Sequence, residues 1–331
     1  GLLSFERVTG KTVATKVQST FPLRLMLPKH RTTGEDTSSR DPRTASAKDT
    51  DPIEPDKECL WAYLINFGGG LLHGDRIDLD VSVGDGCSSI LASQGSTKVY
   101  KSPNPLNRNT PAGQCLTCNV GKGGFLAMIP QPLTCFKDSV YEQRQRVSLA
   151  PDGSSSLVLL DWLTAGRMSR GESWEFQELS SRNEVFVGDR LVFLDALMLA
   201  KGDLPIADRM GSCKVLGFVL LIGSEVQPAV EAIRKTVMVR RNYDNGDGLK
   251  GTKRQKRSGP QSRIDLVSAS DVWVQGGDEN TPRGPGDQAT AGGLLMRFAT
   301  ETTEEAHEIL LSALAPLEGK LGRLPFGPVA V

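Results

Sequence analysis

The sequence predicts a mainly β protein of stacked, twisted sheets with two or three helices. Three observations predict it. Strand signals recur about every ten residues between positions 60 and 200, the spacing of stacked or sandwiched sheets. Several of these segments alternate apolar with polar residues, as Ile77, Leu79, Val81 and Val83 do with Asp78, Asp80 and Ser82, the mark of a strand with one wet face. Turn residues such as Gly84-Asp85-Gly86, Gly121 to Gly124 and Pro151-Asp152-Gly153 punctuate the series,.

Taken in order, Val13 to Val17 and Phe21 to Leu27 are short apolar runs broken by Gly10 and Pro22, which suits strands,. Residues 28–58 contain no Leu, Val, Met, Phe, Trp or Tyr, and Ile53 is their one larger aliphatic residue. Such a segment cannot bury enough to offset its ordering entropy, so it is expected to be a disordered insertion. LWAYLINF, from Leu60, has the apolar density of a buried strand,. Gly84-Asp85-Gly86 is expected to make a hairpin-type turn into a further strand. Leu116, Cys118 and Val120 alternate again, Gly121 to Gly124 turns into Phe125 to Ile129, and Tyr141 to Leu149 and Leu157 to Leu163 follow. Gly188-Asp189 between EVFV and RLVF has the signature of a type II′ hairpin,. Ser224 could cap a helix with Val226, Val230 and Ile233 on one face. A second helix opens at Thr302, three residues before Glu305 in a capping-box arrangement, with Ala306, Ile309, Leu310, Ala313 and Leu314 on one stripe,. Residues 241–262 and 275–293 read as further disordered surface insertions around a strand at Asp265 to Val274, all within a single domain spanning 1–331,.

Composition excludes several function classes. Lys plus Arg and Asp plus Glu are 39 each, so no global field draws nucleic acid or an acidic membrane. The basic residues from Lys250 to Arg257 lack interleaved aromatics and read as a solvated loop, not a nucleic-acid patch,. No apolar run reaches the length of a membrane span,. The N-terminal segment as given has no basic-then-apolar pattern of a secretory signal,. Six irregularly spaced cysteines in a chain of 331 residues suggest reduced thiols and a cytoplasmic setting,.

The most unusual stretch is the glycine corner GGGLLHGD, with Gly68, Gly69, Gly70 and Gly74 leading to Asp75. Gly69 and Gly74 have the glycine spacing of a phosphate-binding loop, but Asp75-Arg76 stands where Lys and Ser or Thr must follow. The acid inverts the electrostatics an anion needs. A dinucleotide fingerprint fails because Leu71, Leu72 and His73 replace its third glycine, and the next element is a strand with no helix N-terminus to receive a pyrophosphate,. Cys115 and Cys118 form a lone CxxC, weak evidence for zinc; in a strand, positions three apart face opposite sides, which argues against a shared metal. The three histidines, His30, His73 and His307, lie far apart in sequence, and no Gly-x-Ser-x-Gly elbow is present.

What remains is acid at strand ends: Asp75, Glu142, Asp161 and Glu172. Asp161 interrupts LVLLDWL, where a charge is costly unless it is paired or lines a wet cavity. Arg167 and Arg170 follow it across a bend and are its expected partners, so a structural salt bridge is the competing reading.

GGGLLHGD, SQGSTKVYKS, MIPQPLTCF and LDWLTAGRMSRGESWEF with SRNEVFVGDRLVFLDAL, in this order between Trp61 and Leu199, together resemble the urease accessory protein family UreD, called UreH in some bacteria. Phe21-Pro-Leu-Arg24 agrees more thinly. The insertions depart from the compact bacterial pattern and suggest a eukaryotic member, fungal or plant, and His73 stands where many members have a small residue. The resemblance implies a β-helix-like or solenoid-like fold with a few helices and a non-enzymatic scaffold for urease maturation. Its implied partners are UreF, the GTPase UreG that UreF recruits, and apo-urease. No cofactor is tightly bound; nickel would pass transiently, through an internal tunnel. Weak, scattered carboxylates suit an ion that must be released, and Asp75 and Glu172, with Asp161 and Glu142, are the expected path. The alternative is a carboxylate-based hydrolase or isomerase using the 68–75 loop.

Overall fold

The computed structural model describes residues 1–28, 59–103, 110–244, 266–272, 292–322 and 324. Its strands begin with β1 (Leu2–Val8), β2 (Lys11–Gln18), β3 (Leu23–Met26), β4 (Leu60–Asn66), β5 (Arg76–Val83) and β6 (Ser88–Ser93). Next come β7 (Thr97–Val99), β8 (Ala112–Val120), β9 (Phe125–Met128), β10 (Leu133–Cys135), β11 (Val140–Leu149) and β12 (Ser156–Thr164). The series closes with β13 (Glu178–Val187), β14 (Arg190–Ala200), β15 (Val215–Ile222), β16 (Leu266–Val272) and β17 (Gly293–Thr300). The helices are α1 (Ile206–Met210), α2 (Gln227–Asp244), α3 (Thr303–Leu314) and α4 (Glu318–Leu321). None is long and apolar enough to cross a membrane.

The strands form a seven-stranded sheet, β14-β13-β11-β8-β5-β1-β2, and a ten-stranded sheet along β16-β17-β15-β12-β9-β6-β4-β3 with β10 and β7 branching from it. The middle of each is parallel: β5, β8, β11 and β13 in the first, β4, β6, β9 and β12 in the second. The two ladders alternate along the chain, so the backbone winds as a coil, which is the solenoid-like architecture expected. A third, short parallel ladder joins Leu71, β7, β10 and the end of β12. Antiparallel strands extend both sheets outward from this coil.

Gly84-Asp85-Gly86 is not a hairpin turn. β5 lies between β1 and β8 in the first sheet and β6 between β4 and β9 in the second, so the turn carries the chain from one sheet to the other. A local dipeptide cannot distinguish these outcomes, because the same tight bend serves both. The corresponding turn of the next coil stacks on it: Gly86 N donates to Lys122 O at 2.8 Å and Lys122 N to Asp85 Oδ1 at 2.8 Å. A Cβ on Gly121 would sit 2.3 Å from that Asp85 oxygen, so the stack requires glycine there,. Gly188-Asp189 does make the expected hairpin, joining antiparallel β13 and β14 with Val187 opposite Arg190 and Gly188 at φ +56°.

Burial explains the two strand patterns. The first sheet has one dry face, with Ile77, Leu79, Val81 and Val83 buried and Asp78, Asp80 and Ser82 exposed. The second is covered on both faces, so β12 and β15 are almost continuously apolar,. One core lies between the sheets; the other lies between the second sheet and α2 and α3. On α3, Ala306, Leu310, Ala313 and Leu314 are buried. Its capping box is present: Thr302 Oγ1 accepts from Glu305 N and Glu305 Oε2 from Thr302 N, both at 3.2 Å. Ser224 does not cap α2. It opens a short 3₁₀ turn after Gly223, whose carbonyl accepts from Gln227 Nε2, while Val226, Val230 and Ile233 are buried as expected. Of the expected insertions, 29–58, 245–262 and 275–291 lie outside the described residues; 241–244 belong to α2 and Gly293 opens β17.

Candidate functional site: a polar layer between the sheets

Strand alternation puts a run of polar side chains where the core should be apolar. On β11 the inward face reads Tyr141, Gln143, Gln145, Val147, Leu149, all buried. On β13 it reads Leu179, Ser181, Asn183, Val185, Val187, again all buried. Register aligns Gln114, Gln143 and Ser181 in one row across β8, β11 and β13, and Gln145 with Asn183 in the next. The second sheet contributes Asp161, from the inward face of β12.

Asp161 is the acceptor that organises this layer. Its Oδ1 accepts from Gln143 Nε2 at 3.1 Å; its Oδ2 accepts from Ser181 Oγ at 3.0 Å and Asn183 Nδ2 at 2.8 Å. All three donors are neutral, so nothing cancels the carboxylate's charge directly. Burial pushes its pKa above the ordinary value of 3.8, against the pull of Asn183, Gln143 and Ser181,. Asp161 lines two spaces at once. Inward lies a cavity of about 50 Å³ that also meets Gln114, Gln143, Gln145 and Tyr141, more than the roughly 10–15 Å³ one water requires. Outward lies a cleft of about 420 Å³ between β14 and the β15-β17-β16 extension, lined also by Asp195, Phe218, Ser268 and Arg297.

The other expected acids are not gathered here. Asp75 is half-buried and closes its own loop: its Oδ2 accepts the Leu72 N–H at 2.8 Å. The preceding glycines serve the backbone, with Gly68, Gly69 and Gly74 at φ +69°, +75° and +83°. At Gly70 a Cβ would come within 2.5 Å of Lys98 O. His73 sits between Ser102 Oγ and Thr110 Oγ1, at 3.0 and 2.9 Å. Glu142 lies on the outer face of β11 and pairs with Arg144 at 3.2 Å. Glu172 forms an ion pair with Arg167, which holds its carboxyl below the usual value, and accepts from Lys137 N. Arg167 also stacks over Phe136, 4.2 Å from the ring centroid. The expected Asp161–Arg167 or Asp161–Arg170 salt bridge is therefore replaced. Arg167 belongs to Glu172, Arg170 is exposed, and Asp161 faces inward toward amides and hydroxyls. Cys115 and Cys118 do face opposite sides of β8; burial of Cys118 pushes its thiol up to about 12. Among the described residues no group of three or more His, Cys, Asp and Glu could hold a metal ion.

Gln143, Ser181, Asn183, Asp195 and Arg297 went unrecognised in the sequence. A signal was present for the first three. Extending the apolar phase of Val147 and Leu149, or of Val185 and Val187, back along each strand places them inward.

The model of the UreD urease accessory protein family matches residues 2–328. The chain belongs to this family. Among UreD relatives, "Urease accessory protein D" of Arabidopsis thaliana is 31% identical over 331 residues, covering 98% of this chain and 99% of that protein. "Urease accessory protein UreD" of Sorangium cellulosum is 34% identical over 328 residues, covering 98% of this chain and 82% of the relative. The fungal "Urease accessory protein 4" of Cryptococcus neoformans is 32% identical over 187 residues, 49% of this chain and 57% of that protein. The UreD match spans the glycine corner, the coil and helices α1 to α4, well beyond the motif-dense region from Trp61 to Leu199.

Proposed function

We propose that this protein is a urease maturation factor, a non-enzymatic scaffold on which nickel passes to apo-urease as cargo. Its family and the names of its relatives support a role alongside urease. The partners we assign are UreF-type and UreG-type accessory proteins and apo-urease, in the cytoplasm, where thiols such as Cys87, Cys118 and Cys135 stay reduced,.

The observation that carries the nickel reading is Asp161, one partly buried carboxylate with three neutral donors between a small cavity and a wider cleft. Thiolate and imidazole sites hold first-row divalent ions tightly. A lone carboxylate among amides and hydroxyls attracts a cation yet lets it leave, which conduction through any path demands. The hydrolase or isomerase reading of the glycine loop draws no support from the geometry, since Asp75 is engaged by the Leu72 amide.

Asp161→Asn tests the path. Asn retains an acceptor oxygen for the layer, whereas Ala would strand three donors at a cost of about 1–3 kcal/mol each. With urease and the UreF-type and UreG-type partners co-expressed under limiting nickel, the variant should co-purify normally. Nickel content and urease activity should fall about tenfold or more, the effect of about 1.4 kcal/mol at one step. Normal activation by Asp161→Asn under limiting nickel would refute the path.

A further inference from the structure

The cleft beyond Asp161 holds a second carboxylate and a guanidinium. Register in the second sheet sets Asp161, Phe218, Arg297 and Ser268 side by side across β12, β15, β17 and β16. The facing sheet sets Gln145, Asn183 and Asp195 side by side across β11, β13 and β14. Arg297 reaches from one sheet to the other: its Nη2 donates to Asp195 Oδ1 at 2.6 Å, and its guanidinium lies 5.8 Å from the Phe218 ring centroid. The Asp195 side chain is 13% exposed and that of Arg297 49%, so the carboxylate lies within the cleft and the arginine at its mouth.

A third oxygen belongs to the same layer. Asn183 is fully buried, and its Oδ1 has no hydrogen-bond partner among the described residues. Its Nδ2 donates to Asp161 Oδ2 and Ser181 Oγ. Flipping the amide would turn oxygen against the Asp161 carboxylate, so the orientation is set and Oδ1 is left as an acceptor. A buried acceptor without a donor is costly. Asp161 and Asp195 both line the cleft, two carboxylates of the oxygen type that a divalent cation takes, and Arg297 supplies a positive charge to Asp195 meanwhile,.

We propose that Arg297 is a gate: its guanidinium occupies Asp195 until a divalent cation arriving at Asp161 displaces it, and Asp195 then takes the ion. This rests on the path reading of Asp161. The exchange favours the ion because a divalent charge between two carboxylates outcompetes one guanidinium contact. The released Arg297 side chain, already half exposed, swings into water with little desolvation to reverse. Arg297 is thus a positioning residue that keeps the two carboxylates apart in function until cargo arrives.

The test uses the full-length chain and Ni²⁺ alone, by equilibrium dialysis. Arg297→Gln removes the competitor and should tighten Ni²⁺ binding about fivefold, the equilibrium equivalent of a half-exposed ion pair. Asp195→Asn should weaken it. In the wild-type chain, Ni²⁺ should accelerate phenylglyoxal modification of Arg297 severalfold in peptide mass spectra. Arg182, held by Glu184 on the outer face, should be indifferent. A purely structural staple predicts a lower melting temperature for Arg297→Gln with unchanged Ni²⁺ affinity, and that result overturns the gate. Where Arg297→Gln does not fold, the wild-type labelling decides alone, and Arg297 reactivity indifferent to Ni²⁺ is the overturning result. Loss of binding in Asp161→Asn with wild-type affinity in Arg297→Gln removes the gate and leaves the path. Unchanged binding in Asp161→Asn removes both.

Discussion

Glu172 and Asp161 are two carboxylates eleven positions apart whose environments push them in opposite directions,. Arg167 holds Glu172 low, so its folded value lies below the ordinary 4.5. The pair therefore contributes stability above 4.5 that is lost as pH falls through the folded value. Glu172→Gln should lower the melting temperature at neutral pH, and the gap to wild type should close on acidification below 4.5. A gap that stays constant from neutral to acid would show that the ion pair contributes nothing. Burial raises Asp161 instead, so the folded state gives up stability as pH rises from 3.8 through its raised value,. Residue types and their alternation made Asp161 conspicuous as a charge inside LVLLDWL. Its partners were not legible, because Gln143, Ser181 and Asn183 lie 18, 20 and 22 residues away and reach it only across the sandwich.

Among the elements, α3 is set by local chemistry that the sequence displays openly. Its capping box and its Ala/Leu stripe are both present in the fold. Thr302→Ala should cost about 1 kcal/mol, read as a shift in the denaturation midpoint with an unchanged slope. No shift would mean that packing of Leu310 and Leu314 on the second sheet holds the helix without its cap. The turns behave differently. Gly84-Asp85-Gly86 and Gly188-Asp189 are similar in composition, yet one changes sheets and the other makes a hairpin. What separates them is the neighbour each following strand finds, which no window of a few residues contains.

For the whole molecule, the coil gives central strands a partner on each side, with a core on one face of the first sheet and on both faces of the second. β8 and β11 sit in the middle of the first sheet, while β2 and β14 are its edges and β16 is an edge of the second. Amide hydrogen exchange should therefore be slowest in β8, β11 and β12 and faster toward β2, β14 and β16. Uniform protection from edge to centre would contradict a coil-centred hierarchy. The same layout explains why a polar layer is tolerated. It lies where the parallel coil gives way to antiparallel extensions, so the sheets leave a small cavity on one side and a wider cleft on the other.

By itself the sequence determined the strand periodicity, the wet and dry faces of β5, the capped final helix and the resemblance that family membership bears out. These follow from contacts among residues a few positions apart, or from motifs read in order. Only the tertiary structure decided which acid faces the interior. Asp75, Glu142 and Glu172 each find a partner locally, 3, 2 and 5 residues away, though Glu172 also accepts from the distant Lys137 N. Asp161 has no such neighbour and takes its donors from the opposite sheet. The Arg297–Asp195 contact at the cleft mouth spans 102 residues. Its existence depends on strand register and sheet separation, which are properties of the packed molecule and of no segment within it.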